Sequence, residues 1–270
     1  MPELPEVETT RRGIEPHVLD HTIESIKVYQ KQLRWPIPTT LKRVTDHNIL
    51  GVGRRGKYLL LSTVPGTVII HLGMSGSLRI SEPDNPLRKH DHVEFLLSNG
   101  VILRYHDPRR FGCILFHPGD PHDHALLRDL GPEPLSTNFD GEHLFRQSRK
   151  KKSAVKNFIM DSHVVVGVGN IYASESLFLS GVRPGRAACR VTREQYQLIA
   201  ANIKRVLDYS IKMGGTTLRD FVNSDGEPGY FKQRLNVYGR EGSPCRQCQT
   251  TIKNKTIGQR SSFYCPNCQH

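Results

Sequence analysis

Towards its C-terminus the chain reads Cys245-x2-Cys248-x16-Cys265-x2-Cys268. Two Cys-x2-Cys pairs at this separation can meet across a hairpin, and four thiolates form a closed ligand set for a structural metal. The alternative use of the same residues is two disulfides. The first residues of the chain are acidic and Pro-containing, without the apolar core of a secretory signal. A reducing compartment, and hence thiolates holding one structural Zn2+ per chain, is therefore expected. The other two cysteines, Cys113 and Cys189, are distant in sequence and read as packed or incidental.

The partner of such a chain is suggested by its charge. Its 270 residues carry 38 Lys and Arg against 26 Asp and Glu, a formal net charge of +12. This favours a polyanion, nucleic acid before membrane. The longest apolar runs, such as Tyr58–Leu61 and Val68–Ile70, are far too short to span a bilayer. The excess is patterned. Arg149, Lys150, Lys151, Lys152 and Lys156 crowd a helix start, and the tail Phe231–His270 holds seven Lys or Arg against the single acid Glu241. A charge run is often only a solvated face, but two basic clusters beside a zinc hairpin favour phosphate contact.

Hydrophobic periodicity predicts an α+β multidomain chain. Residues 3–13 can form a helix, with Pro5 tolerated in its first turn. Ile23–Val28, Tyr58–Ser62, Thr67–Leu72, His92–Leu97 and Val101–Tyr105 read as strands, with Ser98-Asn99-Gly100 as a hairpin turn. Their short spacing predicts a β-sandwich or barrel with the N-terminal helix against it. Ala125–Leu130 reads as a short helical stretch, and Pro132 and Pro134 mark a boundary. Beyond them the period becomes helical over Asp140–Ser148, Ala154–Ser162, Ile171–Leu179 and Arg193–Met213, with a further short helix at Thr217–Val222. Ser224–Gly229 reads as a loop, and the tail as strand-turn-strand around the cysteines. The expected domains are 1–131, 132–230 and 231–270.

Several local patterns can carry chemistry. Removal of Met1 would leave Pro2 with a secondary amine, partly unprotonated at neutral pH and able to attack a sugar aldehyde carbon to give an iminium. Glu3 stands beside it as an acid/base, and Glu6 follows one helical turn on. Pro opening a helix explains the same six residues equally well. Lys57, after Arg54-Arg55-Gly56, is either a surface lysine or a cation for a reacting sugar phosphate. His71-Leu-Gly-Met74-Ser-Gly76 flanks a Met with glycines, which suits a core filler or an apolar wedge between bases. Asp107-Pro-Arg-Arg-Phe111-Gly sets cations beside an aromatic, and Met74, Arg109 and Phe111 could together fill the gap left by an extruded base. Val164–Asn170 reads Val-Val-Val-Gly-Val-Gly-Asn before a helix, a geometry suited to a phosphate or to a plain packing turn. His90-Asp91-His92 lacks a third spaced ligand, so a phosphate contact or a structural role is expected there rather than metal.

Taken together, Met-Pro-Glu-Leu-Pro-Glu-Val-Glu-Thr, Arg55-Gly-Lys-Tyr58, His71-Leu-Gly-Met-Ser-Gly76, Asp107-Pro-Arg-Arg-Phe-Gly112, Gly167-Val-Gly-Asn-Ile-Tyr-Ala-Ser-Glu175 and the four-cysteine hairpin closely resemble the bacterial formamidopyrimidine-DNA glycosylases. The motifs occur in the same order over essentially the whole chain. The resemblance implies an N-terminal β-sandwich flanked by helices, a C-terminal helix-two-turns-helix module and a zinc finger, with double-stranded DNA in the cleft between. It implies a base-excision-repair enzyme that removes oxidised purines such as 8-oxoguanine and nicks by β,δ-elimination. Pro2 then resembles the Schiff-base nucleophile, Glu3 the acid assisting ring opening and base departure, Lys57 the donor in β-elimination, and Arg260 the donor in δ-elimination. His71, His90, Arg109 and Lys151 match DNA-contact positions, Lys156 and Asn170 the phosphate clamp, and Met74, Arg109 and Phe111 the void-filling set. The segment Val222–Tyr230 matches the part that closes over the lesion. A monomer acting in the cytoplasm on the nucleoid is implied as well.

Three alternatives remain. The endonuclease VIII branch prefers oxidised pyrimidines but usually begins Pro-Glu-Gly-Pro-Glu, whereas Leu4 here matches the purine branch. A non-catalytic zinc-ribbon DNA-binding protein would share the charge and the cysteines, yet would have no need of Pro2-Glu3 or Lys57. An RNA-binding ribosomal accessory factor is allowed by charge, but no motif supports it.

Overall fold

A computed structural model of the chain describes residues 2–214 and 235–270. Met1, the expected helix at Thr217–Val222 and the Val222–Tyr230 segment lie outside the described residues. The chain divides into two compact units, one reaching from the N-terminus to Asp129, the other formed by Leu130–Lys212 with the C-terminal segment.

The first unit begins with α1 (Leu4–Val18), which ends five residues beyond its sequence pattern. Glu3 is its N-cap, and Glu3 and Glu6 form a reciprocal capping box in which the Glu3 N–H donates to Glu6 Oε2 at 2.8 Å. This satisfies two backbone donors that a helix start would leave unpaired. Leu4, Val7, Ile14 and Val18 share one buried face. Eight strands follow: β1 (Ile23–Val28), β2 (Gly51–Arg55), β3 (Tyr58–Thr63), β4 (Gly66–His71), β5 (Ser77–Ser81), β6 (Asp91–Leu97), β7 (Ile102–His106) and β8 (Cys113–His117). They form two four-stranded antiparallel sheets, β1-β6-β7-β5 and β2-β3-β4-β8.

Strand periodicity turns alternate residues to one face. Val93, Phe95 and Leu97 from one sheet and Leu59, Leu61, Val68 and Ile70 from the other join Val7, Ile14 and Val18 of α1 in one core. The expected Asn99-Gly100 turn links β6 to β7, with Gly100 at φ +80° and its N–H donating to Leu97 O. The expected helical stretch at Ala125–Leu130 is not helical. It is a run of turns after a short 3-10 turn at Pro121–Asp123, because His124 ends that turn in an extended conformation.

The second unit carries α2 (Gly141–Ser148), α3 (Val155–Ile159), α4 (Asn170–Leu179) and α5 (Arg193–Lys212), then a hairpin of β9 (Lys253–Ile257) and β10 (Arg260–Tyr264). α3 is shorter than its pattern suggests. Every residue of α4 from Ile171 to Phe178 is buried, as expected for a helix packed on several sides. The hairpin is docked on the helices within this unit. Phe178 packs with Val237, Cys245, Ile252 and Cys265. The Gln269 side chain donates to Val182 O, and Arg183 Nε donates to Gln269 O.

Candidate functional site

At the start of the first unit Pro2 is buried, and Glu3 is only 2 % exposed. Glu6 is fully buried. Both carboxylates are thus fixed by the helix start. α1 is tied to the β2–β3 hairpin by Arg54, whose Nε meets Glu8 Oε2 at 3.0 Å, and by Arg11, which donates to Val52 O. Arg11, Arg12 and Arg54 hold the Glu8 carboxyl below its usual range against the opposing effect of burial.

Lys57 sits at the tip of the same hairpin. Gly56 at φ +56° makes the two-residue turn possible, and Arg54 Nη1 closes it on Gly56 O at 2.7 Å. The β3–β4 register pairs Tyr58 with His71, their ring centroids 4.8 Å apart. His71 Nδ1 accepts the Gly73 N–H at 3.0 Å, which leaves the ring proton on Nε2. Burial, then the Lys57 and Arg34 cations, push the His71 pKa down to about 4. His71 is therefore a neutral donor at physiological pH.

Met74, Arg109 and Phe111 lie on two loops that touch backbone to backbone. A Cβ on Gly73 would stand 2.4 Å from Gly112 N, and one on Gly112 would stand 2.3 Å from His71 O. Only glycine permits so close an approach. Met74 is 37 % and Phe111 46 % exposed, and the Arg109 guanidinium lies 4.9 Å from the Phe111 ring centre. Exposed apolar side chains at neighbouring turns suit insertion between bases.

His90, half-buried at φ +77°, precedes β6, and its ring stands 6.2 Å from His92 and 6.1 Å from His106. The latter two are already engaged. His92 Nε2 meets Asp107 O at 2.8 Å, and His106 Nδ1 meets Asp91 Oδ1 at 2.9 Å. Among the described residues the four cysteines are the one group arranged for a metal.

In the second unit the hairpin turn, α3 and the start of α4 come together. Lys156 is fully buried, and its Nζ donates to Ser261 O at 2.9 Å and to Ser262 Oγ at 2.7 Å. Asn170 Nδ2 donates to the same Ser261 carbonyl at 3.1 Å. Gly258, at φ +56°, has no room for a Cβ beside the Asn157 amide. Arg260, exposed, opens β10 immediately after this turn. Gly169 is the N-cap of α4 without a side-chain cap. Lys150, Lys151 and Lys152 stay exposed, whereas Arg149 is used structurally, donating to Val191 O with its guanidinium 3.9 Å from the Phe145 ring centre. Lys151 does not share the Ser261 carbonyl; its backbone bridges Ser148 and Cys189.

The four cysteine sulfurs lie within 4.8 Å of one another, with Sγ···Sγ separations of 3.4 Å, 3.5 Å and 3.9 Å. A tetrahedron with Zn–S bonds of about 2.3 Å has edges of about 3.8 Å. Backbone N–H groups of Gln247 and Cys268 point at the sulfurs of Cys245 and Cys265. The donor set fits one structural Zn2+.

Three family models cover most of the chain in order: the formamidopyrimidine-DNA glycosylase N-terminal domain over residues 1–114, the H2TH domain of that glycosylase over 130–222, and the zinc finger found in FPG and IleRS over 242–270. The formamidopyrimidine-DNA glycosylase of Thioalkalivibrio sulfidiphilus is 56 % identical over 270 residues, covering 100 % of both chains. That of Alcanivorax borkumensis is 55 % identical over 269 residues, again covering 100 % of both. The chain belongs to the formamidopyrimidine-DNA glycosylase family. Among solved structures, a complex of the Lactococcus lactis glycosylase with DNA containing an abasic site matches at TM-score 0.92 and 32 % identity over 100 % of both chains. The Thermus thermophilus protein matches at TM-score 0.89 and 36 % identity, over 99 % of this chain and 98 % of that one.

In this family member two buried acids do more than their sequence context suggests. Asp107 is fully buried and accepts from Ser75 Oγ at 2.8 Å, from Gly112 N at 2.9 Å and from Tyr105 OH at 3.3 Å. Glu175, at 1 % exposure, accepts the backbone N–H groups of Asn236, Val237 and Tyr238. Both residues lie within the conspicuous motifs, beside the cations, the aromatic and the glycines that dominate them. The only usable signal was an acid embedded among turn-forming or apolar residues.

Proposed function

We propose that this member of the family is a bifunctional DNA glycosylase and AP lyase of base excision repair. It removes oxidised purines, 8-oxoguanine and formamidopyrimidines, from duplex DNA and then cleaves the strand. The observation that carries this reading is the buried Pro2-Glu3 pair at the head of α1, in a chain whose glycosylase relatives match it from end to end.

Once Met1 is removed, the Pro2 nitrogen attacks C1′ of the damaged nucleotide and the base departs. Glu3 protonates the sugar ring oxygen as the ring opens, and an iminium forms between Pro2 and C1′. The iminium acidifies the C2′ proton, so the 3′-phosphate leaves by β-elimination. A second elimination releases the 5′-phosphate. Lys57 serves the first elimination and Arg260 the second. His71, His90, Lys151, Lys156 and Asn170 hold the DNA backbone, while Met74, Arg109 and Phe111 occupy the place of the extruded nucleotide. Zinc held by Cys245, Cys248, Cys265 and Cys268 supplies rigidity to the hairpin, and no chemical step passes through it.

The division into 1–131, 132–230 and 231–270 remains our reading of the domains, supported by the order of the three family models. No helix among the described residues is long and apolar enough to cross a membrane. Action in the cytoplasm, on nucleoid DNA, follows from the reading as a repair enzyme.

The test is incubation with duplex DNA holding 8-oxoguanine opposite cytosine, followed by borohydride. A covalent adduct at Pro2 is expected, absent in Pro2→Gly or when Met1 is retained. A protein that binds this duplex but never traps or nicks it would refute the proposal.

A further inference from the structure

Asp107 bridges two loops. Its Oδ1 accepts from Ser75 Oγ at 2.8 Å, and Ser75 follows Met74 directly. Its Oδ2 accepts from Gly112 N at 2.9 Å, directly after Phe111. The Arg109 N–H lies 3.3 Å from both Ser75 Oγ and Asp107 Oδ1. Tyr105, kept protonated because burial and the Asp107 charge raise its pKa well above 10, shares its single O–H between Asp107 Oδ2 at 3.3 Å and His71 O at 3.2 Å. The carboxylate is fully buried and Ser75 is 6 % exposed, whereas Met74 and Phe111 stand out from the same loops. A buried charged acceptor with several donors fixes their geometry strongly.

We infer that Ser75 and Asp107 form a latch joining the Met74 loop and the Arg109–Phe111 loop into one rigid wedge, and that this latch sets how readily a paired base is extruded. Both are positioning residues; neither touches the reacting sugar. The inference rests on the proposed glycosylase reading and adds to it the residues that preorganise the wedge. Without the latch, the exposed side chains would have to be ordered at the moment of insertion, which lowers the rate of that step. The effect should be greatest where a paired base must leave the stack and smallest where no base is present.

Ser75→Ala removes the cross-loop hydroxyl, Asp107→Asn weakens its acceptor, and the double variant tests whether the two act together. Single-turnover excision from an 8-oxoguanine·cytosine duplex is expected to fall about tenfold to a hundredfold. Borohydride trapping on a duplex with a preformed abasic site is expected to stay within about twofold, and the double variant to be no worse than the more impaired single. A second readout does not depend on chemistry: the fluorescence of 2-aminopurine beside a non-cleavable 8-oxoguanine analogue paired with cytosine should respond to wedge insertion more slowly in Ser75→Ala. Equal loss on both substrates, or no loss on either, would overturn the latch. If the unaltered protein neither excises nor traps, the glycosylase reading fails, and the fluorescence response alone then decides the latch.

Discussion

The Glu175 carboxylate of α4 accepts the Val237 N–H at 2.9 Å across 62 residues of sequence. The same group takes the Tyr238 N–H at 3.0 Å and both the backbone and side-chain N–H groups of Asn236, at 2.8 Å and 2.9 Å. Four donors converging on one buried carboxylate anchor the bends and turn at 236–238 that lead to the cysteine hairpin. In Glu175→Gln one oxygen becomes an NH2 facing other donors. Loss of about 1.5–3 kcal/mol is expected, with faster release of zinc to a colorimetric chelator. Unchanged zinc-release kinetics would show that the anchor does not support the metal hairpin.

Lys156 is a buried ammonium that donates to a carbonyl and a hydroxyl of β10. A buried cation of this kind holds the hairpin turn and supplies positive charge beside Asn170 and Arg260. Lys156→Met keeps the length of the stem and removes both effects. Stability is expected to fall by about 1–3 kcal/mol. The slope of log affinity for duplex DNA against log salt should become shallower by about one unit. An unaltered slope, measured by fluorescence anisotropy at several salt concentrations, would mean that Lys156 is structural alone.

Much of this was legible in the sequence where chemistry is local. Runs of apolar and β-branched residues mark β3, β4, β6 and β7, and the Cys-x2-Cys spacing marks the metal site. The wedge loops are visible as glycines flanking an apolar tip. What was not legible depends on distant partners. β2, Gly-Val-Gly-Arg-Arg, has no strand signature and exists through pairing with β3. β5 hides Arg79, buried because Asp91 meets it at 2.6 Å. Asp107 and Glu175 look like surface acids until donors from loops 32 and 61 to 63 residues away enclose them. No local pattern encodes such a partner, so their roles appear only when the chain is folded.

The His71 ring gives a pH dependence of definite sign. Its folded pKa is about 4 against an unfolded value of 6.5. Above pH 6.5 the ring is neutral in both states and has no effect. Between 6.5 and 4 the unfolded chain binds the proton and the folded one does not, so stability is lost as pH falls. The loss approaches roughly 3 kcal/mol near pH 4. His106, whose pKa burial also lowers, acts in the same direction. In His71→Gln the urea midpoint should decline less between pH 7 and pH 4.5 than in the unaltered protein. Parallel declines would show that His71 titrates normally in the folded state.

Gly112 and Gly51 separate steric need from mere glycine content. A Cβ at Gly112 would stand 2.0 Å from Tyr105 OH and 2.3 Å from His71 O, all within the packed base of the wedge loops. The same atom at Gly51 would meet only Ser62 Cβ at 3.9 Å, an ordinary contact. Gly51→Ala should therefore be neutral or slightly stabilising, since it reduces the freedom of the unfolded chain. Gly112→Ala must displace the Tyr105 hydroxyl or the His71 carbonyl and is expected to cost about 1–3 kcal/mol. That is a fall of several degrees in Tm, on the order of 2–4 °C per kcal/mol for a chain of this size. Because the displaced groups support Asp107 and His71, excision of a paired lesion should fall further than stability alone accounts for at a temperature where the variant is fully folded. Equal thermal midpoints for the two variants would contradict the backbone-to-backbone packing of the loops.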